Sequence, residues 1–139
     1  MIENLPIAHA WFRKAEKDIS ALKALMKAPD LFDAATFHAQ QAAEKYLKGY
    51  LAFRGVTNIP KTHNLVALNK LCRDCGDDLN LEIAMLSELT IYAVDTRYDL
   101  GFSPDMNLIE SASLAVQQVK EAVLSLVDKL SEEDQSQEN

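Results

Sequence analysis

The sequence predicts an all-α fold, an up-and-down bundle of about five helices. Three observations carry this expectation. Only four glycines and four prolines punctuate 139 residues. Alanine, leucine, lysine and glutamate dominate, and these are strong helix formers. Apolar residues recur at steps of three and four, while no stretch alternates convincingly as a strand would. A chain of this length forms one domain and buries roughly two-thirds of the surface it exposes when unfolded. Long helices joined by short connections pack with their apolar stripes inward.

The first helix is expected from about Ile7 to Ala28, because Trp11, Ala15, Asp18, Leu22 and Leu25 line one face; Pro29 ends it. Asp30 is a cap for a second helix running to about Arg54, with Ala35, Ala39, Ala42, Tyr46 and Phe53 as its apolar line and Gly55 as its stop. Val56 to Lys61 reads as a loop. Thr62 or Asn64 then caps a short third helix through Leu65, Leu68 and Leu71, closed by Gly76. A fourth spans about Leu79 to Tyr98. Ser103 and Pro104 have the cap and first-turn chemistry of a fifth, whose line from Leu108 through Ala112, Ala115, Val119, Ala122 and Leu126 to Leu130 is the most regular in the chain. The domain is therefore placed at residues 1–130. Ser131 to Asn139, polar and acidic, is expected to be a disordered tail.

No apolar run approaches a membrane span, and Met1 to Pro6 lacks the basic start and apolar run of a signal peptide, so a cytoplasmic location is expected. Fourteen basic and twenty-one acidic residues give a net charge of -7. The charge is uneven: Met1 to Lys61 holds nine basic and six acidic residues, and the remainder five and fifteen. The first two helices are thus suited to face an anionic partner, although unevenly solvated charge explains the same counts. Cys72 and Cys75 form a C-x-x-C pair near the end of the third helix, away from the helix N-terminus that activates such thiols, and no second pair completes a zinc site. Neither metal nor cofactor is expected.

On the second helix His38, Gln41, Lys45 and Lys48 fall at steps of three, four and three and form one polar line, with Glu44 adjoining. Such a line is either a solvated face, with Glu44 and Lys48 in an ion pair worth about 0.2 to 0.5 kcal/mol, or a row of donors for phosphates and base edges. Asp18 and Arg97 both fall on inward lines, and a buried carboxylate needs a partner. The two charges either pair or share a polar cavity, if the helices bring them to the same height, or lie at stripe edges and reach water. His63 stands at a helix start, where it serves the cap or a ligand. Trp11, Phe12 and Phe37 read as core aromatics.

The segment AATFHAQQAAEKYLKGYL, from Ala34 to Leu51, resembles the signature second helix of HEPN domains, with Gln41, Glu44 and Lys48 at the matching positions. AEKDISAL around Asp18 is similar to the family's first helix, Thr62-His63-Asn64-Leu65 to the start of its third, and Arg97-Tyr98 to the end of its fourth. The resemblance implies the fold of the nucleotidyltransferase substrate-binding subunit. It also implies a homodimer, a minimal nucleotidyltransferase as partner in a two-gene, toxin-antitoxin-like module, and a nucleotide or RNA as ligand. His38, Gln41, Lys45, Lys48, His63, Arg97 and Tyr98 are then the candidate binding residues.

Several members of that family are metal-independent RNases carrying an arginine followed, after four to six residues, by a histidine. Arg97 matches the arginine, but Phe102, Ser103 and Pro104 occupy the positions open to the histidine. No group there titrates near neutrality, as proton transfer requires. The expectation is a binding protein rather than a nuclease of that kind, with a non-standard RNase site and a helical oligomerisation module without a small ligand as the alternatives.

Overall fold

The computed structural model describes residues 1–138, which form five α-helices and two short 3-10 turns. The α-helices are α1 (Leu5–Leu25), α2 (Phe32–Phe53), α3 (Leu65–Asp74), α4 (Ile83–Tyr98) and α5 (Met106–Glu138). The expected up-and-down helical bundle is what forms. Among the described residues there is no strand, and no helix is long and apolar enough to cross a membrane.

The centre of the molecule is α2, which packs against each of the other four helices. Its sequence explains this position. Ala35, Ala39, Ala42, Ala43 and Gly49 let neighbouring backbones approach, while Tyr46, Leu47, Tyr50, Leu51 and Phe53 fill the remaining space and are buried. Gly49 takes the closest approach: a Cβ there would stand 2.5 Å from Cε1 of Phe12 and 3.0 Å from Cβ of Trp11. Phe12 in turn stacks on Tyr46, with ring centroids 5.2 Å apart.

The helix ends follow local chemistry, with three departures from expectation. Gly55, at a positive φ of 84°, ends α2 while Gly55 N–H bonds to the Ala52 carbonyl and Val56 N–H to that of Leu51. Asn64 caps α3, its Oδ1 accepting from Val66 N–H at 3.0 Å and Ala67 N–H at 3.2 Å. Asp30 does not cap α2; it lies in the 3-10 turn Pro29–Leu31, and no side chain caps that helix. The fourth helix starts at Ile83, not Leu79, because Asn80 adopts a φ of 57° and its N–H turns back to Asp78 Oδ1. The fifth starts later than Ser103-Pro104, with Asp105 Oδ1 accepting from Leu108 N–H at 2.9 Å.

The expected disordered tail is corrected as well. Instead of stopping at Leu130, α5 continues to Glu138, and Asp134 accepts a hydrogen bond from the Ile2 N–H at 3.0 Å and lies 3.3 Å from the terminal ammonium. Polar composition leaves a segment little to bury, yet here it extends an existing helix and needs no new nucleus. Asn139 lies outside the described residues.

Candidate functional site

A cleft of about 340 Å³ opens where α2, the start of α3 and the C-terminal half of α4 meet. From α2 come Phe37, Gln40 and Gln41, from the turn before α3 comes His63, and from α4 come Thr90, Ala93, Val94, Arg97 and Tyr98. Thr90 holds two walls together: its Oγ1 donates to the Leu86 carbonyl and accepts from Leu65 N–H at 3.3 Å, the first residue of α3.

Behind the cleft Glu44 is the organising group. It is 4% exposed and accepts hydrogen bonds from its own helix and from the turn before α3. His63 Nδ1 lies 2.7 Å from Oε1, Gln40 Nε2 donates to Oε1 at 3.1 Å, and Lys48 Nζ donates to Oε2 at 3.1 Å. Burial pushes the Glu44 carboxyl up, but the bonds from His63, Gln40 and Lys48 outweigh it and hold the group below the usual carboxylate range. Glu44 therefore stays ionised. An ionised carboxylate only accepts, so His63 presents Nδ1–H to it and leaves Nε2 facing outward. His63 itself is 74% exposed. Gln40 Nε2 also donates to the His63 carbonyl at 2.8 Å, and Gln41 Nε2 donates to Gln40 Oε1 at 2.8 Å. The imidazole is thus held at both its ring and its backbone.

On the opposite wall the Arg97 guanidinium sits over the Phe37 ring, 4.3 Å from its centroid. This cation–π contact directs the cation without neutralising it, and Arg97 enters no salt bridge among the described residues. Tyr98 beside it is 77% exposed. The arrangement provides two cationic or hydrogen-bonding groups, an amide, and two aromatic faces along one opening. Those are the groups that recognise phosphates and unstacked bases.

Of the expected residues, Gln41, His63, Arg97 and Tyr98 line this cleft. The other three do not. His38 Nδ1 lies 2.8 Å from Asp18 Oδ1 and Lys45 Nζ 2.5 Å from Asp18 Oδ2, so both bind α2 to α1. Lys48 is buried against Glu44. The polar line is real as a line, but its members face different neighbours.

The suggested Asp18–Arg97 pair is not formed. Asp18 is buried, and both of its oxygens are occupied by His38 and Lys45. Arg97, placed on an inward line by its spacing, is exposed above Phe37. Glu44 and Lys48, weighed as an ordinary surface pair, form a buried one. Gln40, Phe37 and Thr90 were not singled out for the site. A signal existed for Phe37, which precedes Gln40 by three and Gln41 by four and so shares their helix face. For Thr90 there was none, since its role depends on α3 passing alongside.

The remaining positions follow the same logic. Phe102 stacks near Tyr92 and Pro104 is buried, so the segment after Arg97 anchors the loop to the bundle. Burial pushes the Cys72 thiol up, away from reactivity, and Cys75 in the same direction.

The structure of a solved archaeal HEPN homologue, ST0689, resembles this one with a TM-score of 0.65 at 18% identity, covering 86% of this chain and 97% of that one. At that identity the likeness speaks for the fold. Curated proteins yielded no match. The model of the HEPN domain matches residues 8–130, nearly the whole bundle, and the chain belongs to the HEPN domain family.

Proposed function

We propose that the protein is a nucleotide- or RNA-binding partner of a minimal nucleotidyltransferase and acts by binding rather than by catalysis. The observation that carries this is the meeting of His63 and Arg97, 34 positions apart in sequence, on one cleft with Gln41, Phe37 and Tyr98. Arg97 is the phosphate ligand. His63 and Gln41 offer hydrogen bonds, and Tyr98 and the guanidinium plane of Arg97, backed by Phe37, offer stacking faces. The test is anisotropy of a labelled single-stranded oligoribonucleotide, and of a labelled mononucleotide, titrated at low salt. Binding that weakens in Arg97→Ala and with added salt supports the reading. Absence of binding to both probes overturns it.

The same reading includes a homodimer. Ile91 and Leu100, together with Val94 and Tyr98 of the cleft wall, leave large apolar side chains exposed on and just after α4, and exposed apolar surface of this kind marks association sites. Ile91→Glu, outside the cleft lining, should shift the light-scattering mass from dimer to monomer; a monomeric wild type removes this part.

One observation favours the alternative of a metal-independent RNase. No histidine follows Arg97, but His63 reaches its cleft from another element with Nδ1 held by Glu44. In that reaction His63 Nε2 takes the proton from a ribose 2′-hydroxyl, and the 2′-oxygen bonds to the adjacent phosphorus. The bond from phosphorus to the 5′-oxygen breaks, and that oxygen takes a proton from water. Arg97 stabilises the charged phosphorane. Cleavage in chelator that disappears in His63→Ala would support it; no cleavage by wild type would end it.

A further inference from the structure

The side-chain amides of Gln40 and Gln41 each have a donor end and an acceptor end, and what the cleft recognises depends on which end faces it. Glu44 decides this for both. As an ionised carboxylate it only accepts, so the end of Gln40 that lies 3.1 Å from its Oε1 is the amino end. The same Nε2 donates to the His63 carbonyl at 2.8 Å, another group that only accepts. Gln40 is 3% exposed, so little water reaches these bonds.

Gln40 Oε1 then needs a donor, and Gln41 Nε2 supplies it at 2.8 Å, with Glu44 Oε1 also 3.4 Å from that nitrogen. Turning the Gln41 amide over would set its oxygen against these two oxygens. The free end of Gln41 is therefore Oε1. It accepts from no group among the described residues, and it is not one of the buried atoms left without a partner, so it is open to solvent in a residue that lines the cleft.

Of the polar groups along this opening, Gln41 is the one fixed acceptor. His63 Nε2 accepts when the ring is neutral and donates when it is protonated, and the Tyr98 hydroxyl does either. Arg97 only donates, and its charge suits a phosphate. Thr90 Oγ1 is committed on both sides, to the Leu86 carbonyl and the Leu65 N–H.

Resting on the nucleotide-binding reading above, we propose that Gln41 Oε1 sets the base preference of the cleft. It accepts from the exocyclic amino group of adenine or cytosine and discriminates against hypoxanthine and uracil, which carry a carbonyl oxygen in that place. The oxo bases do have a ring N–H, but it adjoins the carbonyl, and bringing it to Gln41 sets two acceptor oxygens close together. An amide free to turn would offer its donor to that carbonyl and lose the preference. The bonds from Glu44 through Gln40 hold it in place. Phosphate on Arg97 and stacking on Tyr98 are shared by the amino and oxo member of each pair, so they add affinity without preference.

The experiment is a chemical-shift titration of the full chain at low salt with the 5′-monophosphates of adenosine, inosine, cytidine and uridine. Adenosine should bind more tightly than inosine, and cytidine more tightly than uridine, by roughly three- to tenfold, the worth of one hydrogen bond partly open to water. Gln41→Met, at a half-buried position, removes the acceptor and keeps the side-chain length. With its folding checked by circular dichroism, it should bring both ratios close to one while all four nucleotides still bind. Equal affinities within the wild-type pairs, a preference for the oxo member, or ratios that persist in Gln41→Met would each overturn the inference and leave the nucleotide-binding reading standing. Failure of all four to bind removes both.

Discussion

The carboxylate of Glu44 lies 2.7 Å from Nδ1 of His63, so a buried acid at the middle of α2 orients a largely exposed imidazole at the start of α3. Gln40 shares the same Oε1 and Lys48 holds Oε2. Fold and cleft therefore share one group, and changes at Glu44 should be visible in both.

Glu44→Ala leaves the Lys48 ammonium buried without its counter-charge, which costs about 3 to 5 kcal/mol. Glu44→Met combined with Lys48→Met removes both charges, and its stability should return to near that of wild type. Urea unfolding of the three proteins checks this. A single variant as stable as the double one would show that water reaches the pair.

Stability should fall on acidification through the Glu44 carboxyl. Its folded pKa lies below the ordinary value of 4.5, so its contribution is fully present above about pH 4.5 and is lost as pH falls through the folded value. Glu16, also lowered, acts in the same direction. Thermal unfolding from pH 6 to pH 2, in wild type and Glu44→Gln, should show a shallower acid slope in the variant.

Gly49→Ala gains roughly 1 kcal/mol of helix propensity, but the new methyl meets the ring of Phe12, which is held by its stacking on Tyr46. Overpacking costs about 1 to 3 kcal/mol, so the variant should be less stable, by up to about 2 kcal/mol. A second change, Phe12→Leu, should make Gly49→Ala less costly than it is in the wild-type background.

Asn64→Ala removes the acceptor for two N–H groups of α3 and should cost about 1 kcal/mol. It also loosens the turn that carries His63, so oligonucleotide affinity should fall along with stability. Asn64→Ser keeps a capping oxygen and should restore both.

Phe37→Leu removes the ring under Arg97 while leaving the charge in place. If that contact directs the guanidinium, affinity should fall about two- to fivefold, the equivalent of about 0.5 to 1 kcal/mol. An unchanged affinity would mean that Arg97 is placed by something other than Phe37.

The helices were legible because helix periodicity is local. The lines from Ala35 to Phe53 and from Leu108 to Leu130 need only the order of residues to identify the faces that must leave water. The stop at Gly55 and a cap at Thr62 or Asn64 were legible for the same reason, each depending on a few neighbouring backbone groups, and the structure places the cap at Asn64. Which polar groups meet across helices is a different kind of question, because it turns on the relative height and rotation of elements distant in sequence. Spacing alone allowed Asp18 to face Arg97, whereas packing of α1 on α2 brought it His38 and Lys45. The polar line of α2 was found as a line, but α1 takes one edge of it, Glu44 takes another, and Gln41 alone of its four members reaches the cleft. The missing histidine after Arg97 is a fact of sequence; the arrival of His63 beside it is a consequence of how α3 crosses α2 and α4.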